Sequence, residues 1–577
     1  MRQPGRIFGQ QCAHALEVFG IQQLKESSHH RLALRIGLTH GTHPFELKYV
    51  DRMISQKDFD VIAVGSGHNG LVAAAYLAKA GKRVLVLERN AWLGGGVVSR
   101  ELTRPGFRHD QHSMTHIFIQ ANPLLQRDEL GLKSRYGLRY LFPESPMMSV
   151  FEDGSTLALH RDPAKSAAEI AKFSNKDAEA FLRLSAQAQI WLPMLVSTLY
   201  TPPMPQGAGH AFLDQSREGQ QFWRAMQMSS HDVLAEYFEH DRVRAHFARV
   251  AGENLVSPDE KATGLGVFVF LGFLEAYGFG VPVGGSGRLT EALTRCIEDR
   301  GGTVLASQDV REVVVANGRA SGVVTADGSR YNAREAVIGA IHPHKLSSMV
   351  AGLDPQVRKA AEATHITEAA CVTVHAALDG PLRFRTPDPV RSVMIELMPP
   401  TYRELRECFD DLRYGGFMRT HLLGLGSLSM FDDTRTPPGK GVAHIWDYAP
   451  YVRPDGRTWD EAKDAYARSM LERLRVYVAN VDEVLLDFHC DSPVDMERTS
   501  PSFMRGDLHG IATTSYQSGA HRPTPDLGQY RVPGIDRLYL VGPFQYPGGG
   551  VFGAGRATAQ VMCDDLKIDF GKLETPA

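Results

Sequence analysis

The sequence predicts an α/β protein with a Rossmann-type dinucleotide-binding domain and a discontinuous α+β substrate domain. Three observations lead to this fold class. A strand, a glycine turn, a helix and a second strand follow one another over residues 59–90. A second glycine-rich turn precedes a helix at residues 540–560, and the segments between the two turns are largely apolar. With 577 residues the chain is long enough for two or more domains.

The first unit is FDVIAVGSGHNGLVAAAYLAKAGKRVLVLERN. VIAV is typical of a buried parallel strand, and LVAAAYLAKA favours a helix. Between them Gly65, Gly67 and Gly70 form G-x-G-x-x-G, which allows a tight turn and a close approach of the backbone to a pyrophosphate at a helix N-terminus. Glu88 ends the second strand, and we expect its carboxylate to accept hydrogen bonds from the ribose hydroxyls of a dinucleotide. The alternative is an ordinary glycine turn with a solvent-exposed Glu88, but the strand and helix on either side favour a dinucleotide site.

Composition excludes several classes of function. The 63 basic and 66 acidic residues leave a net charge of -3, so no basic surface indicates nucleic acid as a partner. The six cysteines are widely spaced and predict neither disulfides nor a redox dithiol, which indicates a reducing, cytoplasmic environment. The most apolar stretch, residues 264–281, contains Glu275 and five glycines, so we interpret it as buried or substrate-lining rather than membrane-spanning. Peripheral membrane contact stays open.

Residues 1–52 differ from the rest of the chain. They have no long apolar stretch of the kind found in secretory signals, and their acids disfavour a transit peptide. Because Met53 lies just before the first predicted strand, we expect residues 1–52 to be a dispensable extension.

A second glycine cluster follows the acid. Gly94, Gly95 and Gly96 come shortly after Glu88 and Arg89, and this arrangement resembles flavoproteins of the glutathione reductase and amine oxidase type. The resemblance implies that the cofactor is FAD, that Gly94 and Gly95 pass its pyrophosphate and ribityl chain, and that this fold is the Rossmann-type FAD-binding one. The resemblance also implies that other residues of the same two loops contact the cofactor, namely His68, Asn69, Arg89 and Gly96.

The resemblance continues in AYGFGVPVGGSGRL and YPGGGVFGAGR, which are similar to the phytoene desaturase (carotenoid dehydrogenase) superfamily, in the branch with carotenoid isomerase-like and pyridine nucleotide-disulfide oxidoreductase domain proteins. It covers about residues 57–568. By similarity, FAD also contacts the backbone of Val310, at the start of a predicted hairpin around Asn317-Gly318, and the closing loop at Gly542, Gly550, Val551 and Gly553. The implied FAD-binding domain comprises residues 57–120, 278–345 and 500–568, and the substrate domain comprises 121–277 and 346–499.

The predicted substrate domain is apolar: residues 120–265 suggest helices, and residues 366–500 mix strands with a helix. An apolar chamber favours a hydrophobic, polyene or isoprenoid substrate that exchanges hydride with flavin N5. Because only the G-x-G-x-x-G of Gly65, Gly67 and Gly70 is a convincing dinucleotide motif, no second dinucleotide domain is predicted, NAD(P)H oxidation is disfavoured, and oxygen or a quinone is the expected electron acceptor. The candidate substrate contacts are His112, His116, Phe544 and Tyr546. His109, His112 and His116 are spaced closely enough to suggest metal ligands, but no set of acids or cysteines completes a site. No metal is therefore predicted.

Two other functions remain open. An amine or amino-acid oxidase on the same fold would need an aromatic cage or a carboxylate-binding arginine, which sequence alone does not place. A non-catalytic protein that binds a lipid or a partner in the same chamber is the second alternative. Intact flavin loops at both ends of the chain argue against the second alternative. The oligomeric state is not predicted.

Overall fold

The computed structural model describes residues 58–576, and residues 1–52 with their predicted dispensability lie outside this range. Its strands in chain order are β1 (Asp58–Val64), β2 (Val84–Leu87), β3 (Ser99–Glu101), β4 (Arg108–Asp110), β5 (Tyr140–Leu141), β6 (Met147–Phe151), β7 (Thr156–Leu159), β8 (Val281–Pro282), β9 (Thr303–Leu305), β10 (Val310–Ala316), β11 (Arg319–Thr325), β12 (Arg330–Gly339), β13 (Ala369–Leu378), β14 (Met394–Met398), β15 (Gly424–Gly426), β16 (Gly441–Pro450), β17 (Leu485–Asp491) and β18 (Leu538–Leu540).

The α-helices of the same range are α1 (His68–Lys79), α2 (Pro123–Gln126), α3 (Pro163–Ala171), α4 (Asn175–Leu199), α5 (Gln206–Leu213), α6 (Arg217–Gln227), α7 (Ser230–Tyr237), α8 (Asp241–Gly252), α9 (Gly264–Tyr277), α10 (Gly287–Glu298), α11 (Pro343–Met349), α12 (Pro355–Glu362), α13 (Tyr402–Arg413), α14 (Trp459–Tyr477), α15 (Val481–Val484), α16 (Pro493–Thr499) and α17 (Gly555–Leu566). None of these helices is long and apolar enough to cross a membrane.

The first large sheet has the order β10-β11-β12-β1-β2-β9, with β18 paired to β12. Its central pairs β12–β1, β1–β2 and β2–β9 are parallel, whereas β10, β11 and β12 form an antiparallel meander. Val61 and Ile62 are completely buried because apolar clusters cover both faces of this sheet, which is why VIAV has no polar alternation. The α/β class and the Rossmann-type unit at the start of the described chain are confirmed.

The predicted hairpin around Asn317-Gly318 is also confirmed. Asn317 and Gly318 have φ values of 52° and 73° and connect β10 to β11. A two-residue turn of this kind needs positive φ at both positions, which asparagine and glycine tolerate best.

The second large sheet has the order β17-β13-β16-β15-β14-β6-β7 and is antiparallel except for the parallel pair β14–β6. Strands β6 and β7 correct the sequence interpretation, which expected helices throughout residues 120–265. They form a hairpin across a loop that contains Asp153 and Gly154. The pairing of β6 with β14 joins residues almost 250 positions apart, so no local pattern specifies it. The discontinuous two-domain boundaries stay a prediction.

Two helix N-termini meet beside the first sheet. α1 packs against α10 and α17 over the same apolar cluster. The contact between α1 and α17 is very close at their first turns, because a Cβ atom built on Gly555 would lie 1.9 Å from the carbonyl oxygen of Asn69. Only glycine permits this approach. The two glycine turns that are 480 residues apart in the sequence are therefore neighbours in the fold.

Candidate active site

A cavity of about 1000 Å³ runs from the glycine turn after β1 to one face of the second sheet. Its dinucleotide end includes most of the cofactor contacts expected from the sequence, namely Gly65, Gly67, His68, Asn69, Gly70, Glu88, Arg89, Gly95, Gly96, Val310, Gly542, Gly550 and Val551. These residues come from four separate segments of the chain. The fold therefore brings the two glycine turns and the hairpin start to one continuous space.

The N-terminus of α1 is open toward this space. Gly67 is the N-cap residue, and no side chain accepts a hydrogen bond from the first turn. A Cβ atom built on Gly67 would meet nothing within 4 Å, so the space beside it is free. Uncapped N–H groups at a helix N-terminus, together with the helix dipole, stabilise a phosphate.

Glu88 is held at the tip of β2 by the first glycine turn. The backbone N–H and the hydroxyl of Ser66 both donate to Glu88 Oε2, at 2.9 and 2.8 Å, and the Asn90 N–H donates to Oε1 at 2.9 Å. The side chain is only 5 % exposed, yet it lines the cavity. A carboxylate in this position retains lone pairs for ribose hydroxyls. The solvent-exposed alternative for Glu88 is therefore wrong.

The second glycine cluster packs directly on the first. A Cβ atom on Gly95 would lie 3.0 Å from the Cα atom of Gly67, and one on Gly96 would lie 2.8 Å from the Phe503 ring. Gly94 does not line the cavity; its N–H donates to the hydroxyl of Ser66 at 3.1 Å. Gly94 therefore supports the wall that Gly95 and Gly96 form.

The C-terminal glycine loop closes the cavity from the other side. Gly548, Gly549 and Gly550 line it, and α17 begins shortly afterwards without a side-chain cap. Buried Arg522 fixes this loop, because its guanidinium donates to the carbonyl oxygens of Pro543 at 2.9 Å and His509 at 3.1 Å. Burial lowers the pKa of Arg522 to about 10. Arg522 nevertheless remains a cation at neutral pH and holds the loop through backbone acceptors.

These residues fit FAD. The uncapped N-terminus of α1, a buried acid at the end of β2 and glycines of both glycine turns line one cavity. Two polar atoms in the first turn, Nε2 of His68 and Oδ1 of Asn69, are buried without a hydrogen-bond partner, as expected for groups beside a bound ligand. The turns of β1–α1 and of residues 542–555 would hold the cofactor, which supplies the capacity to accept or donate hydride.

The opposite end of the cavity is mostly apolar. Helix α9 contributes the largest share, and its burial confirms the interpretation of residues 264–281 as a buried, lining segment. The rings of Phe118 and Phe552 stack with centroids 4.4 Å apart and planes at 3°. The apolar lining residues of this end are Met114, Ile117, Phe118, Val250, Leu255, Val256, Leu265, Val267, Val269, Phe270, Met394, Leu508 and Phe552.

One face of the second sheet forms the floor of this end. His444, Trp446 and Tyr448 alternate along β16 and all line the cavity, and Cys371 and Thr373 of β13 lie opposite Tyr448 and Trp446. Period-two spacing puts alternate side chains on one face. The same alternation is visible in the sequence HIWDY of residues 444–448.

A carboxylate interrupts the apolar surface. Glu253 follows α8 and lines the cavity. Its Oε1 accepts hydrogen bonds from Arg249 at 2.7 Å, from the Tyr448 hydroxyl at 3.0 Å and from the Trp446 indole at 3.2 Å. Sequence analysis did not identify Glu253 or Arg249, because the donors come from separate segments and no local pattern joins them.

His112 lines the cavity where the two ends meet. Both ring nitrogens lack a partner among the described residues, and the ring lies edge-on to Phe503 with centroids 5.3 Å apart. Burial lowers the pKa of His112 to about 4. The imidazole is therefore neutral at physiological pH and offers one donor and one acceptor to a ligand.

The other three candidate substrate contacts lie away from the cavity wall. His116 is fully buried, with Nδ1 at 2.8 Å from the Tyr140 hydroxyl and Nε2 at 2.7 Å from the Ser286 hydroxyl. Phe544 packs over Gly542, where a Cβ atom would lie 2.7 Å from its ring. Tyr546 is also absent from the lining, and so is Gly553, whose carbonyl accepts from Asn122. Phe544, Tyr546 and Gly553 therefore belong to the closing loop without lining the cavity.

Other lining residues were not among the cofactor contacts expected from the sequence. At the dinucleotide end they are Asn90, Gln308, Asp309, Arg311, His342, Lys345, Ser502, Phe503, His509, Gly548 and Gly549. Gln308 to Arg311 flank Val310, so the expected contact at the start of β10 extends to its neighbours. Within residues 58–576 no cluster of histidines, cysteines and acids is arranged to hold a metal ion.

Comparison with known proteins agrees with this cavity. The family described as flavin containing amine oxidoreductase matches residues 70–562. The chain is 28% identical over 564 residues to pyridine nucleotide-disulfide oxidoreductase domain-containing protein 2 of Mus musculus, with 88% of this chain and 94% of the relative covered. It is 26% identical to a component of the limonene dehydrogenase of Castellaniella defragrans (90% and 96% covered) and 24% identical to a lycopene-forming phytoene desaturase of Pseudescherichia vulneris (88% and 99% covered).

The fold also matches solved structures. An oxidoreductase from Methanosarcina mazei superimposes with a TM-score of 0.56 at 17% identity, covering 87% of this chain and 99% of that one. The resemblance to the phytoene desaturase superfamily is thus confirmed. The family match begins at Gly70, the last glycine of the first turn, and includes the C-terminal glycine turn. The chain belongs to the flavin containing amine oxidoreductase family and is an FAD-dependent oxidoreductase.

Proposed function

We propose that this oxidoreductase dehydrogenates an apolar, isoprenoid-like substrate, with hydride passing from a substrate C–H bond to flavin N5. As an oxidoreductase the protein uses a substrate and an electron acceptor, and we propose oxygen or a quinone as the acceptor. The observation that carries the proposal is the apolar lining of the cavity end next to the C-terminal glycine loop. An apolar pocket binds a hydrocarbon by removing its surface from water.

Two similar proteins support this substrate class. The names of the relatives from Castellaniella defragrans and Pseudescherichia vulneris state that they act on limonene and phytoene. Both relatives are covered over more than nine tenths of their length. The similarity therefore extends over nearly the full length of both relatives and includes the segments that line the apolar end here.

Amine oxidation is the second candidate. Glu253 places a carboxylate beside Trp446 and Tyr448 in the apolar end. An acid beside aromatic rings is a suitable environment for a substrate ammonium group. A hydrocarbon substrate has no need of this charge for binding, so the two candidates differ in the role that they give to Glu253.

Anaerobic reduction of the bound flavin distinguishes the candidates. Purified protein is mixed without oxygen with a monoterpene, a carotenoid or a primary amine, and the visible flavin absorption is followed. We expect bleaching by the isoprenoids and none by the amine. Bleaching by the amine alone would overturn the substrate proposal, and protein that takes up no FAD would favour a binding role. Admitting oxygen or a soluble quinone to the reduced protein then identifies the acceptor that restores the colour faster.

A further inference from the structure

The Glu253 carboxylate is oriented with one oxygen satisfied and one free. All three of its side-chain hydrogen bonds, from Arg249, Trp446 and Tyr448, reach Oε1. No donor among the described residues reaches Oε2, and the side chain is 26 % exposed while it lines the cavity. Three donors on one oxygen fix the plane of the carboxylate. The free oxygen is thus the one available to a bound molecule.

Buried charges behind Glu253 hold this orientation. Arg249 has no exposed side-chain surface, and its Nε lies 3.0 Å from Oε2 of Glu396, which is equally buried. The guanidinium of Arg249 therefore lies beside two carboxyl groups, those of Glu253 and Glu396. Burial raises the pKa of Glu396, an effect that the positive charge of Arg249 opposes and the negative charge of Glu253 increases. Arg249 and Glu396 are positioning residues, because neither lines the cavity.

Glu253 is also connected to the loop expected to hold the flavin. Its backbone carbonyl lies 3.0 Å from Nε2 of His509. His509 lies against Gly549, where a Cβ atom would be 2.3 Å from its Nδ1. Gly549 lines the cavity in the C-terminal glycine loop. The side chain of His509 thus lies between the backbone of Glu253 and the C-terminal glycine loop. Glu253 and Gly549 both line the same cavity.

We infer that Glu253 is the catalytic base that accepts the substrate proton in the proposed dehydrogenation. Conversion of a CH–CH unit to C=C removes one hydrogen with its electron pair and one as a proton. The hydride goes to FAD, the proton bonds to Oε2 of Glu253, and the electrons of the broken second C–H bond form the new double bond. The protonated carboxyl returns its proton to water after the product leaves. This inference rests on the proposed function and adds the group that removes the proton.

The test compares Glu253→Gln with Glu275→Gln. Glutamine keeps an oxygen for the three donors and replaces the free carboxylate oxygen by an amide nitrogen, so the fold should be retained. Glu275 accepts side-chain hydrogen bonds from Ser185 and Gln189 and does not line the cavity, which makes Glu275→Gln a matched control. FAD content, melting temperature and substrate Kd, read from the perturbed flavin spectrum, are measured beside the rate of anaerobic flavin bleaching at saturating isoprenoid.

We expect Glu253→Gln to slow bleaching at least ~100-fold with substrate Kd changed less than about threefold, since general bases contribute roughly 10²–10⁴ in rate. Glu253→Asp should regain part of the rate, and it serves as the second variant if the glutamine protein is unstable. An unchanged rate would overturn the inference and leave the proposed function intact. Weakened binding with an unchanged saturated rate would make Glu253 a recognition group instead. Wild-type protein that no isoprenoid bleaches would overturn the proposed function and this inference together.

Discussion

Ser66 donates two hydrogen bonds, from its backbone N–H and its hydroxyl, to the same oxygen of Glu88. The first glycine turn and the end of β2 are joined by this pair, so the acid that we expect to contact the ribose is held in place by the protein alone. The pair is buried, and hydrogen bonds to a charged acceptor contribute about 1.5–3 kcal/mol each.

Glu88→Gln should weaken FAD binding by at least about tenfold, because it removes the charge that is expected to accept hydrogen bonds from the ribose and gives Ser66 a neutral acceptor. The measurement is titration of the apoprotein with FAD, followed by quenching of flavin fluorescence. Glu312→Gln, on the exposed side of β10, is the control. Equal affinity in the two variants would show that Glu88 does not contact the cofactor.

Gly67→Ala and Gly555→Ala should separate cofactor binding from folding. Gly67 has a φ of -58°, and its Cβ would enter open cavity space, so alanine should change the free energy of unfolding of the apoprotein by less than about 0.5 kcal/mol while blocking the pyrophosphate. Gly555→Ala would place its Cβ 1.9 Å from a carbonyl oxygen of α1 and should destabilise the apoprotein. Denaturant unfolding and FAD titration of both variants provide the comparison. Tight FAD binding by Gly67→Ala would contradict the proposal that the FAD pyrophosphate lies against Gly67.

Arg249→Met should lower the free energy of unfolding by about 1–3 kcal/mol, because it leaves the buried Glu396 carboxyl group without its polar neighbour. The double variant Arg249→Met/Glu396→Leu should recover most of that loss, since removal of both polar groups abolishes the desolvation penalty. Denaturant midpoints of wild type, the single variant and the double variant measure the coupling. A double variant as unstable as Arg249→Met would indicate that packing, rather than charge, determines the effect.

The free energy of unfolding should decrease as the pH is lowered below neutrality. Burial lowers the pKa of His246 to about 3, whereas an unfolded histidine titrates near 6.5. Below pH 6.5 the unfolded state therefore binds the proton first, and this residue destabilises the fold progressively as the pH falls from 6.5 towards 3. Between pH 7 and pH 5 the loss from one such histidine is about 2 kcal/mol.

His246→Gln removes this titration and can keep the contact with the Ser149 hydroxyl, which lies 2.7 Å from His246 Nδ1. The decrease in unfolding free energy between pH 7 and pH 5 should therefore be about 2 kcal/mol smaller in the variant than in wild type. Equal decreases would show that His246 is protonated in the folded protein.

Gly266→Leu should obstruct the substrate end alone. Gly266 lies on α9 and lines the cavity, and a Cβ atom there would meet nothing within 4 Å. The leucine side chain would occupy space available to the substrate, so isoprenoid Kd should rise by at least about tenfold with FAD content unchanged. Loss of FAD in this variant would indicate that the cofactor extends further along α9 than the glycine loops imply.

Much of the dinucleotide end was predictable because its requirements are local. A tight turn, a close backbone approach and an open helix N-terminus each depend on a few consecutive residues, and Gly65, Gly67 and Gly550 carry them. The hairpin at Asn317-Gly318 was predictable for the same reason, since two residues determine its backbone conformation. Sequence proximity was a poor guide to side-chain direction: Phe544 and Tyr546 precede the glycines of the closing loop, yet they lie away from the cavity wall.

The sequence by itself determined the Rossmann-type unit, the glycine turns, the FAD cofactor by resemblance and the apolar character of the substrate end. Tertiary structure decided which side chains line the apolar end of the cavity and which residues hold them in place. Glu253, Arg249, Trp446 and Glu396 come from α8 and the loop after it, β14 and β16, and only the pairing of distant strands brings them together. The physical reason is that backbone conformation depends on neighbouring residues, whereas the orientation of the Glu253 carboxylate also depends on donors from β16, which lies almost 200 positions later in the chain.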